Sequence, residues 1–152
     1  MIERLLIVGY GSIGKRHARL ARDLFPNAKI IVLRHKNCED LNSKNIDHCV
    51  INLQDAIKLK PQIAIIANPT SHHIDISNDL AQLGIHLLIE KPISNSSKDV
   101  SKLIDTCDSK KTILMVGYNL RYMESLIKFR EILKNETIGK ILSVRSEVGS
   151  YL

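Results

Sequence analysis

Gly9-Tyr10-Gly11-Ser12-Ile13-Gly14 forms a G-x-G-x-x-G run directly after a short apolar stretch and ahead of a helical pattern. In that setting each glycine has a separate task. Gly9 permits the tight turn, Gly11 lets backbone approach a pyrophosphate, and Gly14 lets helix and strand pack closely. An anion placed there would rest on the free N–H groups of Ser12 and Ile13, at the positive end of the helix. About 20 residues past the last glycine, an acidic side chain would accept the hydroxyl protons of a ribose. This chain has Arg34, followed by His35 and Lys36. A guanidinium cannot accept those protons but pairs well with a 2′-phosphate. The reading is a dinucleotide site, NADP favoured and NAD possible.

Three further clusters follow later apolar runs: Asn68-Pro69-Thr70-Ser71-His72-His73, Glu90-Lys91-Pro92 and Gly117-Tyr118-Asn119-Leu120-Arg121-Tyr122. Ligands of open α/β sheets bind beyond the carboxyl ends of the strands, where all three fall. A lysine partly desolvated beside a bound cofactor has a lowered pKa and can assist proton transfer. His72 and His73 are adjacent and point in different directions on a helix. No His/Cys set has ligand spacing, so no metal site is expected. No G-x-S-x-G elbow supports a hydrolase.

The elements that must position these residues are legible as continuous apolar runs. Leu5–Val8, Ile30–Leu33, Cys49–Ile51, Ile63–Ala67, His86–Ile89 and Ile113–Val116 read as strands buried on both faces. The segments between them are long enough to return the chain for parallel pairing. The first helix places Ile13, Leu20, Ala21 and Leu24 on one face and stops at Pro26. Ser71 reads as the cap of a helix through Leu83, closed by Gly84. Ser96-Ser97-Lys98-Asp99 resembles a capping box ahead of Val100, Leu103, Ile104 and Cys107. The result is a doubly wound, parallel-sheet α/β Rossmann domain. After it, Tyr122 to about Lys134 reads as a helix. Lys140–Val148 alternates like a strand that needs a partner from elsewhere.

The chain has 152 residues, 44% of them hydrophobic and 25% charged, which is ordinary globular composition. Its net charge of +6 comes from scattered cations, and with aromatics at 4% there is little to stack bases on. A nucleic-acid partner is not expected. Three cysteines, Cys38, Cys49 and Cys107, form no CxxC pair and are odd in number, which reads as reduced thiols in a cytoplasm. The first apolar run is too short for a signal segment or a membrane span.

Together the motifs resemble the glucose–fructose oxidoreductase/inositol dehydrogenase (Gfo/Idh/MocA) family. Its members carry the glycine turn, then a T-P-x-x-x-H-like segment, then E-K-P, then a G-Y-N-x-R-[FY]-like stretch. Asn68 stands where the family usually has Thr, while His73 matches the family histidine. The resemblance implies that Glu90, Lys91 and Pro92 line a nicotinamide pocket and that Lys91 meets the substrate hydroxyl. It adds Asn68, Pro69, His73, Asn119 and Arg121 as cofactor or substrate contacts. It further implies a dinucleotide domain over residues 1–121 and the start of a truncated substrate domain over 122–152. The expected activity is hydride transfer between a nicotinamide cofactor and a sugar, cyclitol or nucleotide-sugar hydroxyl. As the missing domain supplies further acid/base groups, this chain alone is expected to be incomplete for catalysis. The alternative is a dinucleotide-binding module without turnover. A methyltransferase shares the glycine turn but has no use for Glu90-Lys91-Pro92 and expects an acid after the second strand. Homo-oligomerisation through the C-terminal strand is the remaining expectation.

Overall fold

In a computed structural model, residues 2–38 and 43–149 are described. The chain divides into two compact units, the first ending at Gly117 and the second starting at Tyr118. The first is built on six strands: β1 (Arg4–Val8), β2 (Lys29–Leu33), β3 (His48–Val50), β4 (Ile63–Ile66), β5 (His86–Ile89) and β6 (Leu114–Val116). All pairings are parallel, in the order β3-β2-β1-β4-β5-β6. The order reverses between β1 and β4, the place where doubly wound sheets open a crevice. Observed strands lie within a residue or so of the expected runs.

Alternation along β1 explains why those runs are continuous. Leu6 and Val8 face one layer, with Ile31, Ile66, Leu80, Leu87 and Leu103. Leu5 and Ile7 face the other, with Ile30, Val32, Ala18 and Ala21. Both faces are covered, so all four buried positions, Leu5–Val8, must be apolar. Truncating the fully buried Leu6 to Ala would cost about 3 kcal/mol through lost transfer and the cavity left behind.

Helix α1 (Ser12–Leu24) departs from its expected packing. The residues it buries are Gly14, Ala18 and Ala21, whereas Ile13, Leu20 and Leu24 are 42%, 38% and 71% exposed. The cause is closeness: a helix seated this near the sheet has room only for small side chains on its inner face. Helix α2 (Leu53–Lys58) was not expected. It is six residues long, and its capping comes from Asn52, whose side chain accepts the Asp55 N–H at 2.9 Å. Helix α3 (His73–Gln82) starts later than Ser71, which lies inside a 3-10 turn, Thr70–His72. Pro69 sets the turn one step early by accepting the His72 N–H at 2.9 Å. The helix ends as expected, with Gly84 left-handed at φ +77°. Helix α4 (Val100–Lys110) lacks the expected capping box. Asp99 is left-handed at φ +64° and caps nothing, and the Ser96 hydroxyl accepts from Lys98 N–H instead.

The cysteine reading is corrected. Cys38 and Cys49 form a disulfide, with Cα atoms 5.8 Å apart, while Cys107 is a buried free thiol. An odd count accommodates one bridge and one core cysteine, so it carries no argument for a reducing compartment. Among the described residues, no helix is long and apolar enough to cross a membrane.

The second unit contains a 3-10 turn, Asn119–Tyr122, and helix α5 (Glu124–Lys134). The expected strand over Lys140–Val148 is absent, because no described segment pairs with it. A strand requires a neighbour to take its backbone hydrogen bonds. Leu142 and Val148 are 92% and 94% exposed.

Candidate dinucleotide site

The glycine turn has the geometry its spacing implied. Gly9 adopts φ +90°, and a side chain there would reach within 2.7 Å of the Ala67 carbonyl and the Asn68 N–H. β1 and β4 converge at this point, so the first glycine is required by both conformation and space. A side chain on Gly14 would run into the Gly9 carbonyl. A side chain on Gly11 would meet nothing within 4 Å. Gly11 is also the N-cap of α1, which has no side-chain cap and no acidic residue in its first turn. The helix thus presents uncapped N–H groups and positive potential to open space.

That space belongs to a cleft of about 910 Å³ at the carboxyl ends of β1, β2 and β4. Gly9, Tyr10 and Gly11 form part of its wall, Asn68 and Pro69 another, and Arg34, His35 and Lys36 a third. Arg34 follows β2 directly, and its N–H donates to the Val50 carbonyl at 3.0 Å, fixing the start of this cationic segment against β3. Asn68 Oδ1 is buried and has no hydrogen-bond partner. A buried acceptor left unmet is costly, and a ligand N–H or O–H would meet it. The uncapped helix, the open position at Gly11, the orphaned Asn68 oxygen and the cationic rim all fit a dinucleotide.

His73 is not on the cleft wall. It is 1% exposed, with Nε2 2.9 Å from the Asn68 carbonyl and Nδ1 3.0 Å from the Pro92 carbonyl. Each ring nitrogen thus lies against a backbone carbonyl, and neither is left for a ligand. What the ring does is tie the segment after β4 to the segment after β5. The Lys91–Pro92 peptide bond is cis.

Glu90 lies at the end of β5, and its carboxylate accepts from Lys91 N–H at 3.2 Å. It also pairs with His17 Nε2 at 2.8 Å. His17 escaped the sequence analysis, although it sits on α1 one turn past Gly14. It joins α1 to the Glu90-Lys91-Pro92 segment. Gly117 completes the arrangement, since a side chain there would come within 3.2 Å of the Glu90 carboxylate. Lys91 itself is exposed, so the expected desolvation is not supplied by the folded chain. Asn119 and Arg121 are exposed on the 3-10 turn of the second unit. Among the described residues, no group of three His, Cys, Asp or Glu side chains is placed to hold a metal ion.

Similarity to known proteins bears on this geometry directly. Residues 3–118 match the model of the Gfo/Idh/MocA oxidoreductase family, NAD-binding Rossmann fold. Inositol 2-dehydrogenase of Rhizobium meliloti (strain 1021) is 27% identical over 93% of this chain and 43% of its own length. Scyllo-inositol dehydrogenase from Lactobacillus casei, solved with bound NAD(H) and scyllo-inositol, superposes with a TM-score of 0.79 at 18% identity. The overlap is 91% of this chain and 43% of that one. The WlbA dehydrogenase from Bordetella pertussis, solved with NADH and UDP-GlcNAcA, gives a TM-score of 0.80 at 21% identity, over 91% of this chain and 41% of that one. At such identities the two structures speak for the fold. The chain spans less than half the length of these relatives. With the family model matched over most of the chain, and the glycine turn, cleft and Glu90-Lys91-Pro92 segment in place, this protein belongs to the Gfo/Idh/MocA oxidoreductase family through its NAD-binding Rossmann domain.

Proposed function

We propose that the domain binds NADP, or less tightly NAD, for an oxidoreductase acting on a hydroxyl of a sugar, cyclitol or nucleotide sugar. The observation that carries this is the uncapped N-terminus of α1 opening at Gly11 onto a cleft rimmed by Arg34, His35 and Lys36. Ser12, Ile13 and Gly14 N–H groups would hold the pyrophosphate. Arg34 would pair with a 2′-phosphate. Asn68 and Pro69 would wall the cofactor, and the Asn68 oxygen would accept from it. A bound nicotinamide supplies the hydride chemistry. Lys91 would exchange the proton of the substrate hydroxyl, with Glu90 held by His17 setting the backbone from which Lys91 extends. His73 would keep the two loops in register from below. Residues from 122 onward would begin a substrate domain, with Asn119 and Arg121 contributing contacts near the boundary.

A second reading, binding without turnover, is favoured by one observation: Lys91 is exposed, so the folded chain does not supply the desolvation expected of a proton-transfer group. Both readings share the cofactor. Titrating the chain with NADPH and NADH by calorimetry, with Arg34→Asp alongside, tests that shared part. NADPH is expected to bind about tenfold tighter than NADH, a difference of about 1.4 kcal/mol, and Arg34→Asp to erase or invert it. No binding of either cofactor at millimolar concentration would overturn both readings.

A further inference from the structure

We propose that Cys38 and Cys49 form a thiol–disulfide site that sets the affinity of the cleft for the phosphorylated ribose of NADPH. This rests on the cofactor reading above and goes beyond it. Cys38 lies two residues past Lys36, at the far end of the segment whose Arg34, His35 and Lys36 rim the cleft. Cys49 lies in β3, opposite Val32 of β2 in the parallel register. The near end of the segment is held by the Arg34 N–H on the Val50 carbonyl. The disulfide holds the far end on the same strand. The three consecutive basic residues are thus fastened to β3 at both ends, beside the position a 2′-phosphate would occupy.

Cut that second attachment and the physics changes. Arg34 and Lys36 are like charges two residues apart, and the bridge would no longer hold the far end of their segment on β3. The segment gains conformational freedom that binding must remove again, so affinity falls through lost preorganisation rather than lost contacts. The effect should be larger for NADPH, whose extra phosphate these cations face, than for NADH. Cys107 cannot compete for the bridge. It is 2% exposed, on the buried face of α4, and the chain has no fourth cysteine. Cys38 and Cys49 are only half-buried, and a small reagent can reach them.

The chemistry requires a low-molecular-weight disulfide as oxidant. One cysteine thiolate attacks it, forming a mixed disulfide and releasing one thiol. The second cysteine thiolate then attacks the protein sulfur of that mixed disulfide and releases the other thiol. Two protein thiols are oxidised and one small disulfide is reduced to two thiols. Excess thiol runs the sequence backward.

The test uses the whole chain, equilibrated in glutathione or glutathione disulfide, with the state of each cysteine read by alkylation and mass spectrometry. NADPH and NADH affinities are then measured by calorimetry in both states. Reduction is expected to weaken NADPH binding about tenfold and NADH binding less than about threefold. Cys38→Ser and Cys49→Ser should each match the reduced protein in either buffer, while Cys107→Ser should keep the response. Reduced wild-type protein serves where a serine variant does not fold. Equal NADPH affinity in the two verified states overturns the proposal, as does failure of the pair to oxidise in excess glutathione disulfide. If neither cofactor binds in either state, the cofactor reading itself has failed and this inference falls with it. Those results are distinct, because cysteine state is measured independently of binding.

Discussion

Gly11 and Gly14 are three residues apart and answer to different demands. Space around Gly11 is empty, while Gly14 is pressed against the Gly9 carbonyl. Gly11→Ala should therefore leave the melting temperature almost unchanged and weaken NADPH binding, since the added methyl occupies the route of a pyrophosphate. Gly14→Ala should destabilise the fold by about 2 kcal/mol, because α1 must back away from β1 to accommodate it. Thermal denaturation with a parallel NADPH titration separates the two; equal loss of stability in both variants would contradict the assignment. The glycines were legible because their spacing encodes local geometry. The pairing of His17 with Glu90 was not, since it spans 73 residues and no local pattern announces it. His73 was singled out as a cofactor contact, and the structure places it in the core with both ring nitrogens against backbone carbonyls. A histidine looks the same in sequence whether its ring faces a ligand or two backbone carbonyls.

At the scale of elements, the four inner strands could be read because burial on both faces forces continuous apolar runs, while the edge strands β3 and β6 kept short apolar runs although they are only partly buried. The face of α1 was misjudged because large apolar residues normally mark the buried side, and here close approach reversed that preference. Caps were misread for a related reason: Ser71 and Asp99 have suitable side chains, but Pro69 and a left-handed Asp99 backbone route the chain differently. One electrostatic cluster ties β2 to the start of β3. Asp47 is partly desolvated, which opposes its charge. It nonetheless accepts from the Ile30 N–H at 2.9 Å and from Arg22 and Lys29, which together hold its pKa down from 3.8 to about 2. A depressed folded-state pKa gives stability that is present above the unfolded value and is lost as pH falls through the folded one. The melting temperature should therefore drop between about pH 4 and pH 2, and Asp47→Asn should flatten that part of the profile. An unchanged acid limb in the variant would show that other carboxylates control it.

For the molecule as a whole, the first unit carries its own two-sided core, whereas the second has an α5 with no buried residue and the irregular segment Lys140–Val148. Alternation in that segment was legible, but pairing was not, because a strand is a property of two segments and no described segment pairs with this one. If it pairs with a second copy of the chain, sedimentation should show association that rises with protein concentration. Leu142→Lys with Val144→Lys should return the protein to a monomer, because both side chains are exposed and apolar in the single chain. A wild-type chain that stays monomeric at high concentration would count against pairing between copies.

The bridge between Cys38 and Cys49 also closes a covalent ring, over a sequence separation of 11, around the connection from β2 to β3. Lys44 lies inside that ring and is exposed. A protease that cuts after Lys44 would open the chain without separating its halves. On a gel run without reductant the nicked protein should migrate near its full mass, and with reductant it should resolve into two fragments. The first strand pair of the sheet, β1 and β2, would then belong to one polypeptide and the rest to another, still joined by a single sulfur–sulfur bond.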